Sequence, residues 1–318
     1  MNALSYVLAT GAVALPAAWV TALASLALLP LVRRLSPVAR GEASAWIGLL
    51  PALVAAALIA AISVPSVLYG LGLGSDHCFG HAHHPHVCFW HGAALPAWLA
   101  VVGSGGWAWL VFGFARTISR LVHTERRGRR LAALGRPDAG FRVVPSSLAV
   151  CHVVGVVRPT VILSRAVRDR LDPRELRAVV AHEHAHVARA DTRWSAILAL
   201  AGCIAPTGAW QALWRDAAEE AADDVAASVT DGPTVASALV AVARMGLDPT
   251  PGLGFGAGRL ERRVLRMLGA PGRPRSSCVT AGAVLMALSA LAVVAGAHER
   301  LHHAVEEGWE QVSGRRTG

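Results

Sequence analysis

Hydrophobic positions along this chain come in long uninterrupted blocks separated by one crowded polar region. Residues 2–32 and 43–75 contain no charged side chain, and two more uncharged stretches cover 92–115 and 278–297. Each reaches the ~20 residues a helix needs to cross a hydrocarbon core ~30 Å thick. The pattern therefore predicts membrane spans at about 4–32, 44–73, 92–115 and 278–297. The first two are longer than necessary and contain Pro16, Pro51 and Pro65, so kinks or interfacial ends are expected. The N-terminal block lacks a basic leader and is too long for a cleavable signal peptide.

The region 116–277 follows a different pattern. Short β-branched runs broken by Pro and Gly, at 141–145, 149–154 and 160–163, predict strands. At Asp172-Pro173-Arg174-Glu175 a helix start is written in full. Asp172 caps, Pro173 suits the first helical position, and Glu175 reaches back to close a capping box. This block reads as a compact α+β unit. The uncharged segment 195–213 is long enough to suggest another crossing, but Gly202, Pro206 and Gly208 break it. A broken helical hairpin, buried or dipping into the membrane surface, is expected instead, with Cys203 as a buried apolar residue.

Composition agrees with a membrane protein: 54% of residues are hydrophobic and 16% charged. The net charge of +9 is all arginine, for no lysine occurs. Because the arginines cluster beside the apolar blocks, they are read as topology signals and not as a nucleic-acid surface. Arg33, Arg34 and Arg40 mark the first connection, and Arg116, Arg120, Arg126, Arg127, Arg129 and Arg130 follow the third span, whereas 75–91 has no Lys or Arg. The positive-inside rule then puts the region 116–277 in the cytoplasm and both termini outside. The expected organisation is a membrane domain (1–115), a cytoplasmic domain (116–277), a fourth span (278–297) and a short external tail (298–318).

The candidate chemistry lies in His182-Glu183-His184-Ala185-His186. Spacing of four puts His182 and His186 on one helix face, a turn apart, where two imidazoles can share one metal ion. Glu183, beside the first of them, is placed to take a proton from an attacking water. His184 points away and is read as a bystander. A catalytic zinc site keeps three protein ligands and one open position. The third ligand is sought in Glu219-Glu220-Ala221-Ala222-Asp223-Asp224, where Glu219 with Asp223 competes with Glu220 with Asp224. In either pair one carboxylate would bind metal and the other, a turn along, would hold a ligand imidazole. His152 and Arg189 are expected to be surface or salt-bridging groups, and strand 160–163 is a candidate for edge pairing with an extended substrate.

The run from Arg158-Pro159-Thr160-Val161-Ile162-Leu163 through H-E-x-x-H, Arg189-Ala190-Asp191, Trp210 and Trp214 to E-x-x-A-D resembles the BlaR/MecR type of membrane zinc peptidase. That resemblance implies a multi-pass α-helical membrane protein with a cytoplasmic α+β zincin-like metallopeptidase domain and one catalytic Zn2+. It selects Glu219 as third ligand and Asp223 as its support, with Glu220 in reserve. It also implies a regulatory relay in which the peptidase cleaves a cytoplasmic winged-helix repressor of the BlaI/MecI type, or itself. The ~20 residues after the last span are too few for a folded penicillin-binding sensor. The same motifs are compatible with a quality-control peptidase of the HtpX type.

A second cluster, His77, Cys78, His81, His83, His84, His86, Cys88 and His91, falls in the connection expected outside the membrane. It reads either as a disulfide-closed or simple polar loop, or as a metal- or pH-responsive sensor. A non-catalytic metal sensor built on this loop is the third functional reading.

Overall fold

A computed structural model describes residues 3–73, 97–246 and 254–269 of the chain. The histidine-rich segment, the fourth apolar stretch and the tail 298–318 lie outside the described residues.

The protein is mostly helical. Helix α1 (Ala3–Ser25) continues through a single 3-10 turn, Leu26–Leu28, into the short α2 (Leu29–Val32). After a tight turn, α3 covers Pro37–Gly70 and α4 covers Ala97–Leu134. Among the described residues, Leu4–Val32, Pro37–Gly70 and Ala97–Leu134 are the three helices long and apolar enough to cross a membrane. They display large apolar side chains outward, among them Val20, Leu23, Val101, Trp109 and Phe112, which suits a lipid environment. The chain stays helical through Pro16, Pro51 and Pro65. It also stays helical beyond Ala115: α4 continues without interruption past Arg116 and Arg120 to Leu134. The onset of charge ends the apolar surface but not the helix, since arginine is itself a good helix former.

A small mixed sheet follows, made of β1 (Arg136–Asp138), β2 (Phe141–Val144), β3 (Cys151–Val154) and β4 (Thr160–Ser164). The three expected strands are present, and β1 is an addition whose Arg-Pro-Asp sequence carries no strand signal. Strand order is β1-β2-β4-β3, with β2 and β4 parallel and the other pairs antiparallel. Alternation along β4 buries both faces. Val161 and Leu163 join Phe141, Val167 and Leu171, with Leu176, Val179 and Val180 packed against them. Ile162 faces the other way, with Val144 and Val154 against Ala132 of α4.

Beyond the sheet come α5 (Arg165–Arg170), α6 (Pro173–Ala188), α7 (Asp191–Ala201), α8 (Gly208–Val229), α9 (Gly232–Gly246) and α10 (Gly254–Leu268). The uncharged segment 195–213 is indeed a broken hairpin: α7 and α8 meet at a turn holding Gly202, Cys203 and Pro206. Its tip packs inside the apolar bundle, where Ala205 clusters with Ala14, Ala18, Ala22 and Ala55. Indole hydrogen bonds secure it: Trp19 donates to the Ile204 carbonyl at 3.1 Å and Trp109 to that of Cys203 at 3.2 Å. The fully buried Trp210 donates to Ser25 Oγ at 2.8 Å. Cys203 is buried, as expected of an apolar residue.

Close approach between α1 and α4 depends on Gly103, where an added Cβ would lie 2.6 Å from the Leu8 carbonyl oxygen. At Gly105, on the same helix, a Cβ meets nothing within 4 Å. Gly103→Ala should therefore destabilise the bundle by about 1–3 kcal/mol through overpacking. Gly105→Ala should be neutral or gain up to about 1 kcal/mol. Thermal unfolding of the detergent-solubilised chain should separate the two variants, and equal midpoints would refute the packing.

Candidate metal centre

The site begins with a well-fixed helix start. The Asp172 carboxylate accepts from the backbone N–H of Arg174 at 2.7 Å and of Glu175 at 2.9 Å. Glu175 accepts in return from the Asp172 N–H at 3.2 Å, completing the capping box. From this start α6 carries His182 and His186 on one face. Their rings lie 4.8 Å apart centre to centre, and the two Nε2 atoms face each other at 3.1 Å. Across from them α8 presents Glu219, with Oε2 3.5 Å from His182 Nε2 and Oε1 3.7 Å from His186 Nε2. One ligand atom from each of the three residues falls within 4.8 Å of the others, a grouping that could hold a metal ion.

The far side of each imidazole is fixed by a carboxylate. His182 Nδ1 is 3.1 Å from Asp223 Oδ1, and His186 Nδ1 is 2.6 Å from Asp191 Oδ2. An ionised carboxylate only accepts, so both Nδ1 atoms donate, and the two Nε2 atoms are the ring nitrogens turned toward the common point. Asp191 opens α7 directly after Ala190, whose φ of 56° turns the chain sharply at the end of α6. That left-handed conformation costs about 1–2 kcal/mol for a residue with a Cβ. Arg189 steadies the turn by donating to Asp191 at 2.6 Å and to the Ala218 carbonyl at 2.7 Å. It is thus a salt-bridging group, as anticipated.

The acidic stretch of α8 divides between two tasks. Glu219 and Asp223 point to the imidazoles, whereas Glu220 pairs with Arg40 of α3 and Asp224 with Arg266 of α10 at 2.7 Å. Sequence reasoning missed Asp191 as the partner of His186, although it noted the run Arg189-Ala190-Asp191. Nor did it indicate Arg263, whose guanidinium contacts both Asp223 and Glu219.

Electrostatics follow from this layout. Burial alone would depress His182, but hydrogen bonds to Asp223 and Glu219 and the nearby charges of Asp223 and Glu183 outweigh it, raising the imidazole to about 9. Glu219 is raised by burial and lowered more strongly by His182, Arg263 and His186, ending at about 2. Asp223, opposed by burial but paired with Arg263 and His182, also lies at about 2.

Glu183 is buried beside the cluster and accepts a hydrogen bond from Cys151 Sγ at 3.4 Å. Burial, then the Glu183 charge, pushes the Cys151 thiol well above its usual range, so it stays a neutral donor. The cluster opens into a cleft of about 1010 Å3, bordered by β3 and by Thr124 and Gly128 of α4. His184 is exposed outside the cleft, next to Gly140, while His152 on β3 is exposed along the cleft's border. The expectation that strand 160–163 pairs with substrate fails. β4 lies between β2 and β3, its hydrogen-bonding edges both taken; among the described residues, the strand with one unpaired edge at the cleft is β3.

Two helix-borne imidazoles, each anchored by a carboxylate, and a carboxylate from a later helix make a grouping of the kind that metal-dependent hydrolases use. Residues 115–207 match the family described as BlaR1 peptidase M56, so this part of the chain is an M56-type metallopeptidase domain. The match takes in the sheet, α6 and α7 and stops before α8, which supplies Glu219. No curated protein and no solved structure matches the chain. The three donors fit the zinc on which M56 peptidases depend, leaving one side open to the cleft.

Because His182 holds a proton up to about pH 9, a cation entering the cluster must displace it. Apparent zinc affinity should therefore weaken as pH falls, by about tenfold per unit for one displaced proton. Chelator-competition titrations at several pH values check this; a flat profile between pH 6 and 8.5 would contradict it.

Proposed function

We propose that the chain is a membrane-anchored zinc endopeptidase acting in regulatory signalling, with its site on the cytoplasmic side. The observation that carries this reading is the convergence of His182, His186 and Glu219, with Glu183 beside them, on one open cleft. His182, His186 and Glu219 would hold a zinc ion, which would supply Lewis acidity toward a scissile carbonyl and a water. Glu183 takes the proton from the attacking water and delivers it to the leaving amine. Asp223 and Asp191 keep the two imidazoles oriented, and the free edge of β3 receives an extended substrate as an added strand.

The orientation is supported by Arg40, which reaches Glu220, the neighbour of Glu219. The arginine-bearing first connection and the metal cluster therefore share one end of the helix bundle. Under the positive-inside rule that end is cytoplasmic. The resemblance described above points to a winged-helix repressor, or the chain itself, as the protein cleaved.

Glu183→Gln should retain zinc but lower turnover by about 10²- to 10⁴-fold, the range for loss of a general acid–base group. Comparing protein termini in cells carrying wild-type or Glu183→Gln protein tests the reading. One cytoplasmic protein cut only by the wild type supports a relay. A broad set of cut membrane proteins would instead indicate quality control, and identical termini would overturn the peptidase reading.

A further inference from the structure

We infer that Arg263 is a positioning residue of the metal centre, holding Asp223 and Glu219 together and through them the His182 ring and the third ligand. This rests on the metallopeptidase reading above.

All three guanidinium nitrogens are engaged. Nε donates to Asp223 Oδ2 at 2.8 Å, Nη2 to Asp223 Oδ1 at 2.8 Å, and Nη1 lies 2.9 Å from Glu219 Oε2. Glu219 Oε2 is the same oxygen that approaches His182 Nε2, and Asp223 Oδ1 is the one that holds His182 Nδ1. One planar group thus fixes the ligand carboxylate and the supporting carboxylate at once. The need for it is plain from α8, where Glu219 and Asp223 stand four residues apart on one face and repel each other. Asp223 is also fully buried, and a buried carboxylate without a compensating partner is costly.

Of the other arginines on α10, Arg266 comes only within 3.9 Å of Asp223 Oδ2 and binds Asp224 at 2.7 Å, and two more stay away from the cluster. Arg259 and Arg262 reach Asp216 at 3.5 Å and 3.8 Å and are largely exposed, whereas Arg263 retains 19% exposure. Two effects of Arg263 on a cation oppose each other. Its positive charge repels the ion, and its fork orders the ligands; the bidentate pair with Asp223 neutralises much of the charge and leaves the ordering.

The test is zinc affinity of the full-length, detergent-solubilised chain by chelator competition, read beside thermal unfolding. Arg263→Met and Arg263→Lys should both weaken zinc binding by about 10- to 100-fold, as loss of groups supporting metal ligands does. Lys fails because a point charge does not reproduce the fork. Arg262→Met should bind as the wild type does. An Arg263→Lys chain with wild-type affinity, or an Arg263→Met chain that binds zinc more tightly, overturns the inference. So does a lowered unfolding midpoint with unchanged affinity, which marks a structural role only. A wild-type chain that takes up no zinc overturns the metallopeptidase reading and this inference with it.

Discussion

Imidazoles from α6 and a carboxylate from α8 can meet only if both helices end on the same side of the bilayer. Between them lies an uncharged segment long enough to cross it. The break at Gly202, Pro206 and Gly208 resolves the conflict by returning the chain as a hairpin. Alanines at positions 14, 18, 22 and 55 make room for its tip, as small residues do wherever helices must approach closely in an apolar setting. Trp210 and Trp214 then lock the start of α8 against α1 and α3. The spacing of the candidate metal donors is therefore set by packing within the apolar bundle as much as by the peptidase domain itself.

Charge is handled by layers around this geometry. The acidic positions of α8 sit among alanines, and each finds a cationic partner on a different element: imidazole on α6, guanidinium on α3 or α10. Burying so many ionised groups is tolerable only with near-complete pairing, and such networks fix one arrangement more than they add stability. The neutral thiol of Cys151 belongs to the same scheme, because it satisfies Glu183 from the sheet side without adding charge.

What could be read from the sequence was whatever is encoded locally. The Asp172 capping box, the imidazole spacing and the hairpin break each occupy a few consecutive residues, and each recurs in the structure. Glu219 was reached through a motif resemblance, since its distance from His186 along the chain carries no geometric information. Asp191 could have been suspected from Arg189-Ala190-Asp191, but only the left-handed turn at Ala190 brings its carboxylate back to His186. Arg263 lies 40 positions from Asp223 and is one arginine among 30 basic residues, with no local pattern to distinguish it. The strand order was illegible for a similar reason. β4 inserts between β2 and β3 although it follows both, and no run of residues announces a crossover.

The 38 residues of α4 form one rod about 57 Å long at 1.5 Å per residue, apolar at one end and joined to the sheet at the other. At that far end Gly128 lies so close to β3 that a Cβ would stand 2.9 Å from the Val154 side chain. With no hinge between the two ends, tilt is converted into translation: over that length each degree displaces the sheet-bearing end by about 1 Å. The border of the cleft and the apolar, candidate membrane-spanning end thus belong to one continuous rod.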